Sequence, residues 1–154
     1  MTWRGSTDTK DRIFASLPYL IPLFRAIPFG QFLFTQFPFL KIILILVTPV
    51  QIIYETVPFA SIVIFFILFL AVVRNERVAH FIRFNTMQAI LIGILIFLCS
   101  LLLPWLGTNL LTQTLDSIVF LGTLVACGYS IVQSFLGLYA EIPGISEAAY
   151  AQVR

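Results

Sequence analysis

The chain predicts an all-α polytopic membrane protein, and three observations carry that prediction. Sixty per cent of its 154 residues are apolar and 10% are charged, whereas soluble domains carry roughly 25% charged residues. The apolar residues fall in long runs with charges at their ends. The densest positive cluster, Arg74, Arg77 and Arg83 with His80 among them, separates the runs 59–73 and 90–103. Two apolar spans joined by a short basic turn make a membrane hairpin whose turn faces the cytoplasm or its equivalent.

The same composition excludes other classes. A net charge of +2, with the basic residues at ends of apolar runs rather than on a patch, gives no footprint for nucleic acid. Cys99 and Cys127 lie inside apolar runs and read as unpaired buried thiols, with no metal-ligand or redox spacing. No carboxylate falls within a span, which argues against proton- or sodium-coupled transport. No catalytic constellation, metal cluster or phosphate-cradling loop appears, so neither an enzyme nor a cofactor is expected. The amino-terminal stretch MTWRGSTDTKDR is short and mixed in charge, unlike a transit peptide.

Four transmembrane helices are expected at about 13–27, 57–73, 84–103 and 117–139, with one interfacial or re-entrant segment at about 39–55, in a single domain. The first segment is short and carries Pro18 and Pro22, each of which removes a backbone donor. Residues 28–38 are rich in Phe beside Gln31, Thr35 and Gln36, a composition suited to the headgroup boundary. The stretch 39–55 is interrupted by Pro49 and Gln51 and closed by Glu55. Parity decides between it and 13–27. If Lys10, Arg12, Arg74 and Arg77 are all inside as topology determinants or lipid anchors, one of the two crosses, and 13–27 is favoured. The run 57–73 is free of charge, and 84–103 ends at Pro104-Trp105. The loop 106–116 has no cation, which suits the outer side, and 117–139 is long enough to cross with tilt. Both termini then lie on the inner side.

In lipid, helices gain nothing from hiding leucines, so small and polar residues mark the packing faces. On the last span Gly122, Ala126, Ser130 and Ser134 recur every fourth residue, with Gln133 in the same arc. The opposite face, with Phe120, Leu124 and Val125, is suited to lipid. On the span before it, Asn85, Gln88, Ala89 and Gly93 form a matching stripe. These faces read either as interhelical hydrogen bonding or as the lining of a cavity or path. Arg83, flanked by Phe81, Ile82 and Phe84, enters the membrane more deeply than topology demands.

The segments DRIFASLPYLIPLFRAIPFG, FTQFPFL and VVRNERVAHFIRFNTMQAILIGI, with the closing EIPGISEAAYAQVR, resemble the twenty-kilodalton subunit of the chloroplast inner-envelope protein translocon (Tic) and its cyanobacterial relatives. The most specific part is the string Arg83-Phe84-Asn85-Thr86-Met87-Gln88-Ala89. The resemblance implies four membrane helices with both ends stromal or cytoplasmic, and membership of a preprotein-import assembly. In that family an acidic residue often stands where this chain has Gly93, so no role for that carboxylate carries over. Absence of a transit peptide is expected of a cyanobacterial or plastid-encoded member, located in a cyanobacterial membrane or the plastid inner envelope. The expected function is that of a translocon membrane subunit contacting unfolded polypeptide and partner subunits, or acting as a homo-oligomer. A non-conducting scaffold or assembly factor and a small-solute channel are the alternatives.

Overall fold

A computed structural model of the chain describes residues 7–153. The first six residues of the mixed-charge amino-terminal stretch, and Arg154 of the tail, lie outside the described residues. Within them the chain is helical throughout. Four helices are long and apolar enough to cross a membrane: α1 (Thr9–Gln36), α2 (Pro38–Thr56), α4 (His80–Leu106) and α5 (Leu110–Phe135). A shorter apolar helix, α3 (Ala60–Val73), lies between α2 and α4, and α6 (Ile145–Gln152) closes the chain.

Helix α1 starts at Asp8, whose carboxylate accepts the backbone N–H of Asp11 at 2.8 Å, an ordinary N-cap. Its prolines do not stop it. Pro18 and Pro28 each stand in the first two positions of a 3₁₀ turn, Leu17–Tyr19 and Ile27–Gly30, and Pro22 is the third residue of the α-turn segment Leu20–Ala26. At those places the missing N–H has little to donate to, so the helix changes pitch instead of breaking. The aromatic stretch expected at the headgroup boundary therefore continues α1. Phe29, Leu33 and Phe34 from it are buried in the core.

The bundle has two ends. At one, Arg12 Nη1 donates to the Phe135 carbonyl at 3.5 Å and His80 lies 3.2 Å from the Val153 carbonyl. This hinge end gathers residues 7–12, 73–83 and 135–153. At the other, Phe29, Phe32 and Thr35 of α1 share a groove with Thr108, Asn109 and Gln113. Helices α1 and α4 climb from the hinge end and α5 returns to it. Gly137, at φ +77°, turns the chain beneath Arg12. A side chain there would be strained and would also meet the guanidinium.

The descent between α1 and α4 is made in two pieces. Helix α2 leaves the far end and finishes with Tyr54, whose ring is 5.0 Å from that of Phe24 and 6.0 Å from the Arg25 guanidinium, well along α1. Helix α3 starts beside Gly93 and Phe97, midway along α4, and ends where Arg83 Nε donates to the Val73 carbonyl at 2.9 Å. The joint, 57–59, holds Phe59 at φ 54°. Length thus ranks these segments differently from the hydropathy pattern. The stretch expected at the interface lies in a 19-residue helix, about 28 Å long, while the charge-free run gives only about 21 Å from Ala60 to Val73.

Candidate functional site

The hydrogen-bonding site of this fold is a knot of side chains around two amides on α4. Asn85 and Gln88 are three residues apart, so both lie on one face, and both are fully buried. The Asn85 amide nitrogen donates to the Phe81 carbonyl of its own helix at 2.8 Å. Its Oδ1 accepts two hydroxyls, from Tyr19 of α1 at 2.7 Å and from Ser134 of α5 at 3.1 Å. Gln88 Nε2 reaches the Tyr19 hydroxyl at 3.1 Å, the Ala140 carbonyl at 3.3 Å and Ser130 Oγ at 3.4 Å. Gln88 Oε1 accepts from Ser146 of α6 at 2.7 Å. Ser146 Oγ in turn accepts the Ile142 N–H at 2.6 Å.

Two amides thereby bind α1, α5 and the carboxy-terminal segment to α4. Tyr19 donates to one amide and accepts from the other, so neither carbonyl nor hydroxyl is left idle. In hydrocarbon such interhelical bonds are worth about 0.6 kcal/mol each on average, up to about 1.7. An aromatic cluster lies below the knot. Phe84 packs between Tyr139 and Tyr150 at 5.0 and 4.4 Å, and His80 Nδ1 lies 2.8 Å from the Tyr139 hydroxyl.

Of the residues singled out in the sequence, Asn85, Gln88, Ser130 and Ser134 meet in this knot. The others do not. Ala89 packs in the main core with Tyr19 and Leu23. Gly93 is buried beside a groove between α1, α3 and α4, with open space where a Cβ would stand. Gly122 is exposed, and with half-buried Ala126 it faces an outer groove shared with Glu141 and Ile142. Gln133 is half-buried, away from the amides. Arg83 turns toward the end of α3 and caps it. Arg74 is exposed with its guanidinium 6.0 Å from the Phe69 ring, and Arg77 and Lys10 are exposed. Arg12 is half-buried and caps the last turn of α5.

Sequence reasoning missed Tyr19 and Ser146. The available signal was stoichiometric: two buried amide oxygens need O–H or N–H donors from other segments, and α5 alone supplies too few. Phe120 corrects the expectation of a lipid-facing side. It is 1% exposed, packed on Gly30 and 5.2 Å from the Phe34 ring.

Apolar helices locked by buried amides, with most of the cations among the described residues at one end, define a multi-pass helical membrane protein. Residues 8–149 match the family described as "Chloroplast import apparatus Tic20-like", and the chain belongs to the Tic20 family. A Tic20 family protein of Synechocystis sp. is 54% identical, with all of this chain and 99% of that protein covered. Protein TIC 20-v, chloroplastic, of Arabidopsis thaliana is 36% identical over 96% of this chain and 73% of its own length. Protein TIC 20, chloroplastic, of Pisum sativum is 27% identical over 92% of this chain and 58% of its own length. Membership puts the chain in a non-enzymatic family with cyanobacterial and plastid representatives.

Proposed function

We propose that the chain is a membrane subunit of a protein-translocation complex, contacting polypeptide in passage together with partner subunits or further copies of itself. The carrying observation is that the polar stripe on α4 and α5 is spent on internal hydrogen bonds. Asn85, Gln88, Ser130 and Ser134 line no tunnel, because each faces another helix. A polypeptide path therefore lies on an outer surface completed by a neighbour. The groove beside buried Gly93, between α1, α3 and α4, and the outer face at exposed Gly122 and half-buried Ala126 of α5 are the surfaces suited to it.

Photo-crosslinking from position 94, exposed on the groove beside Gly93, and position 122, with position 88 as the buried control, tests this reading. Adducts with a polypeptide arrested in transit are expected from one or both outer positions and not from 88. Adducts only with stable membrane neighbours would instead assign a scaffold role.

The membrane orientation belongs to the same proposal. Lys10, Arg12, Arg74, Arg77 and Arg83 collect at the hinge end, while the far end has Lys41 at the start of α2 and a loop, 106–116, with no cation, so the hinge end faces the cytoplasm or stroma. The four crossings are α1, the two-piece descent of α2 and α3, α4 and α5. In sealed membranes an impermeant maleimide added outside should modify Thr108→Cys and spare Glu76→Cys, both positions being exposed in the fold. The opposite labelling pattern would invert the topology.

A further inference from the structure

A cavity of about 560 Å³ lies near the hinge end between α1, α2, α3 and α4, within the size range of small-ligand sites. Its walls are apolar, with Leu17, Ile21, Val50, Ile64 and Leu68 among them, and Val78 and Ile82 flank it toward the basic turn. The hydroxyl-bearing side chains of the lining are Tyr54 and Thr86. Thr86 is 1% exposed, and its Oγ1 is the one buried side-chain polar atom without a hydrogen-bond partner among the described residues.

That hydroxyl departs from its own kind. Thr48, Thr56, Thr114 and Thr123 each donate to the carbonyl four residues back in their helices. Thr86, equally mid-helix, does not, and native folds rarely leave such a group unanswered. One turn earlier on α4, Arg83 is 7% exposed and donates only its Nε, to the Val73 carbonyl. The rest of its guanidinium fork has no hydrogen-bond partner among the described residues. Around it the turn carries Arg74 and Arg77 against a single acid, Glu76. Side chains three residues apart on a helix start about 5–6 Å from each other, a spacing that suits the phosphate and the acyl ester carbonyl of one glycerophospholipid.

We propose that this cavity holds one acyl chain of an anionic glycerophospholipid. The ester carbonyl accepts from Thr86 Oγ1, and the phosphate faces Arg83 and the turn 74–77. A lipid fits these walls better than a peptide does. It brings few acceptors at the head of an uninterrupted apolar chain, whereas an extended peptide brings an N–H and a C=O at every residue into walls whose side chains offer only the hydroxyls of Tyr54 and Thr86.

The test uses the full chain, delipidated in detergent, with thermal unfolding followed during titration with phosphatidylglycerol or with phosphatidylcholine of the same acyl chains. Phosphatidylglycerol should raise the midpoint saturably and at lower concentration than phosphatidylcholine. Thr86→Val removes a hydroxyl that serves no protein group. Its lipid-free midpoint should be no lower than that of the natural chain, yet it should need about fivefold more phosphatidylglycerol for half-saturation, the factor an ordinary hydrogen bond carries. Leu68→Trp, which fills the cavity, should abolish the shift. If Leu68→Trp does not fold, Thr86→Val and the lipid comparison decide alone. Equal responses to the two lipids, an unchanged response in Thr86→Val, or a lowered lipid-free midpoint in that variant would each overturn the proposal.

Discussion

Gln88→Leu should loosen the carboxy-terminal segment before it unfolds the bundle. Leucine fills similar volume and keeps the helix, so the change isolates the amide. It removes the links from α4 to Tyr19, Ser130, Ala140 and Ser146. Two groups retain partners: Tyr19 still donates to Asn85, and Ser146 stays 3.0 Å from the Ala140 carbonyl. Ser130 and the tail lose most. Summing a few interhelical bonds of average strength and one weakened buried hydroxyl gives about 2–3 kcal/mol. The tail is held to α4 by the knot, by contacts at Phe84 and His80, and by Ala149 and Val153 packed with Met87 and Ile90, so without the knot its attachment is mainly apolar. Amide hydrogen exchange across α6 should quicken by about tenfold or more, while the amides of α4 and α5 slow or hold. Unchanged protection of residues 145–152 in the variant would show that the apolar and aromatic contacts fix the tail without the knot.

The knot also constrains the function proposed above. A polar stripe in a membrane helix invites two readings, hydrogen-bonded glue and aqueous lining. Here the distances select the first for Asn85 and Gln88, since their acceptors and donors are other helices of the same chain. A rigid unit of α1, α4, α5 and α6 results. The α2–α3 arm is attached more lightly, with most of its outer surface apolar and exposed. In a bilayer that surface meets lipid or another subunit.

How much of this was legible beforehand depends on whether a signal is local. The two amides at a span's mouth and the four-residue spacing of Ser130 and Ser134 are local, and they pointed at the right helices. The hydroxyl partners were not, because Tyr19 lies between prolines in an apolar run and Ser146 in a polar tail. Neither looks like a donor until the bundle is assembled. The small-residue stripe of α5 was read as one face, yet the structure splits it: Ser130 and Ser134 turn inward and Gly122 outward. Helix lengths were misjudged for a related reason. Hydropathy registers Glu55 and Pro49, but it does not register that a helix tolerates an exposed proline while the apolar run after it begins only at Ala60. The prolines of α1 were read as lost backbone donors, and pitch changes into 3₁₀ turns absorb that loss at Pro18 and Pro28.

Phe120 and Gly30 are expected to show the strongest pairwise coupling in the molecule. A Cβ built on Gly30 would stand 2.8 Å from Cδ2 and Cε2 of the Phe120 ring and 3.0 Å from Cγ. The ring has little freedom to yield, because Phe34 packs edge-on at 5.2 Å and the core closes around it. Gly30→Ala should therefore cost about 1–3 kcal/mol as overpacking. Phe120→Leu should cost a comparable amount through lost contacts, which in lipid are the main attraction between apolar helices. In Gly30→Ala/Phe120→Leu the new methyl group occupies part of the space the ring vacated. The double variant should then be less destabilised than the sum of the singles by about 1 kcal/mol or more, outside the additivity of independent sites. Reversible unfolding in detergent, read by helical circular dichroism, measures all four corners of the cycle. Strict additivity would mean that α1 and α5 do not meet through this pair, and the upper half of the bundle would have to be held by something other than the approach that glycine permits.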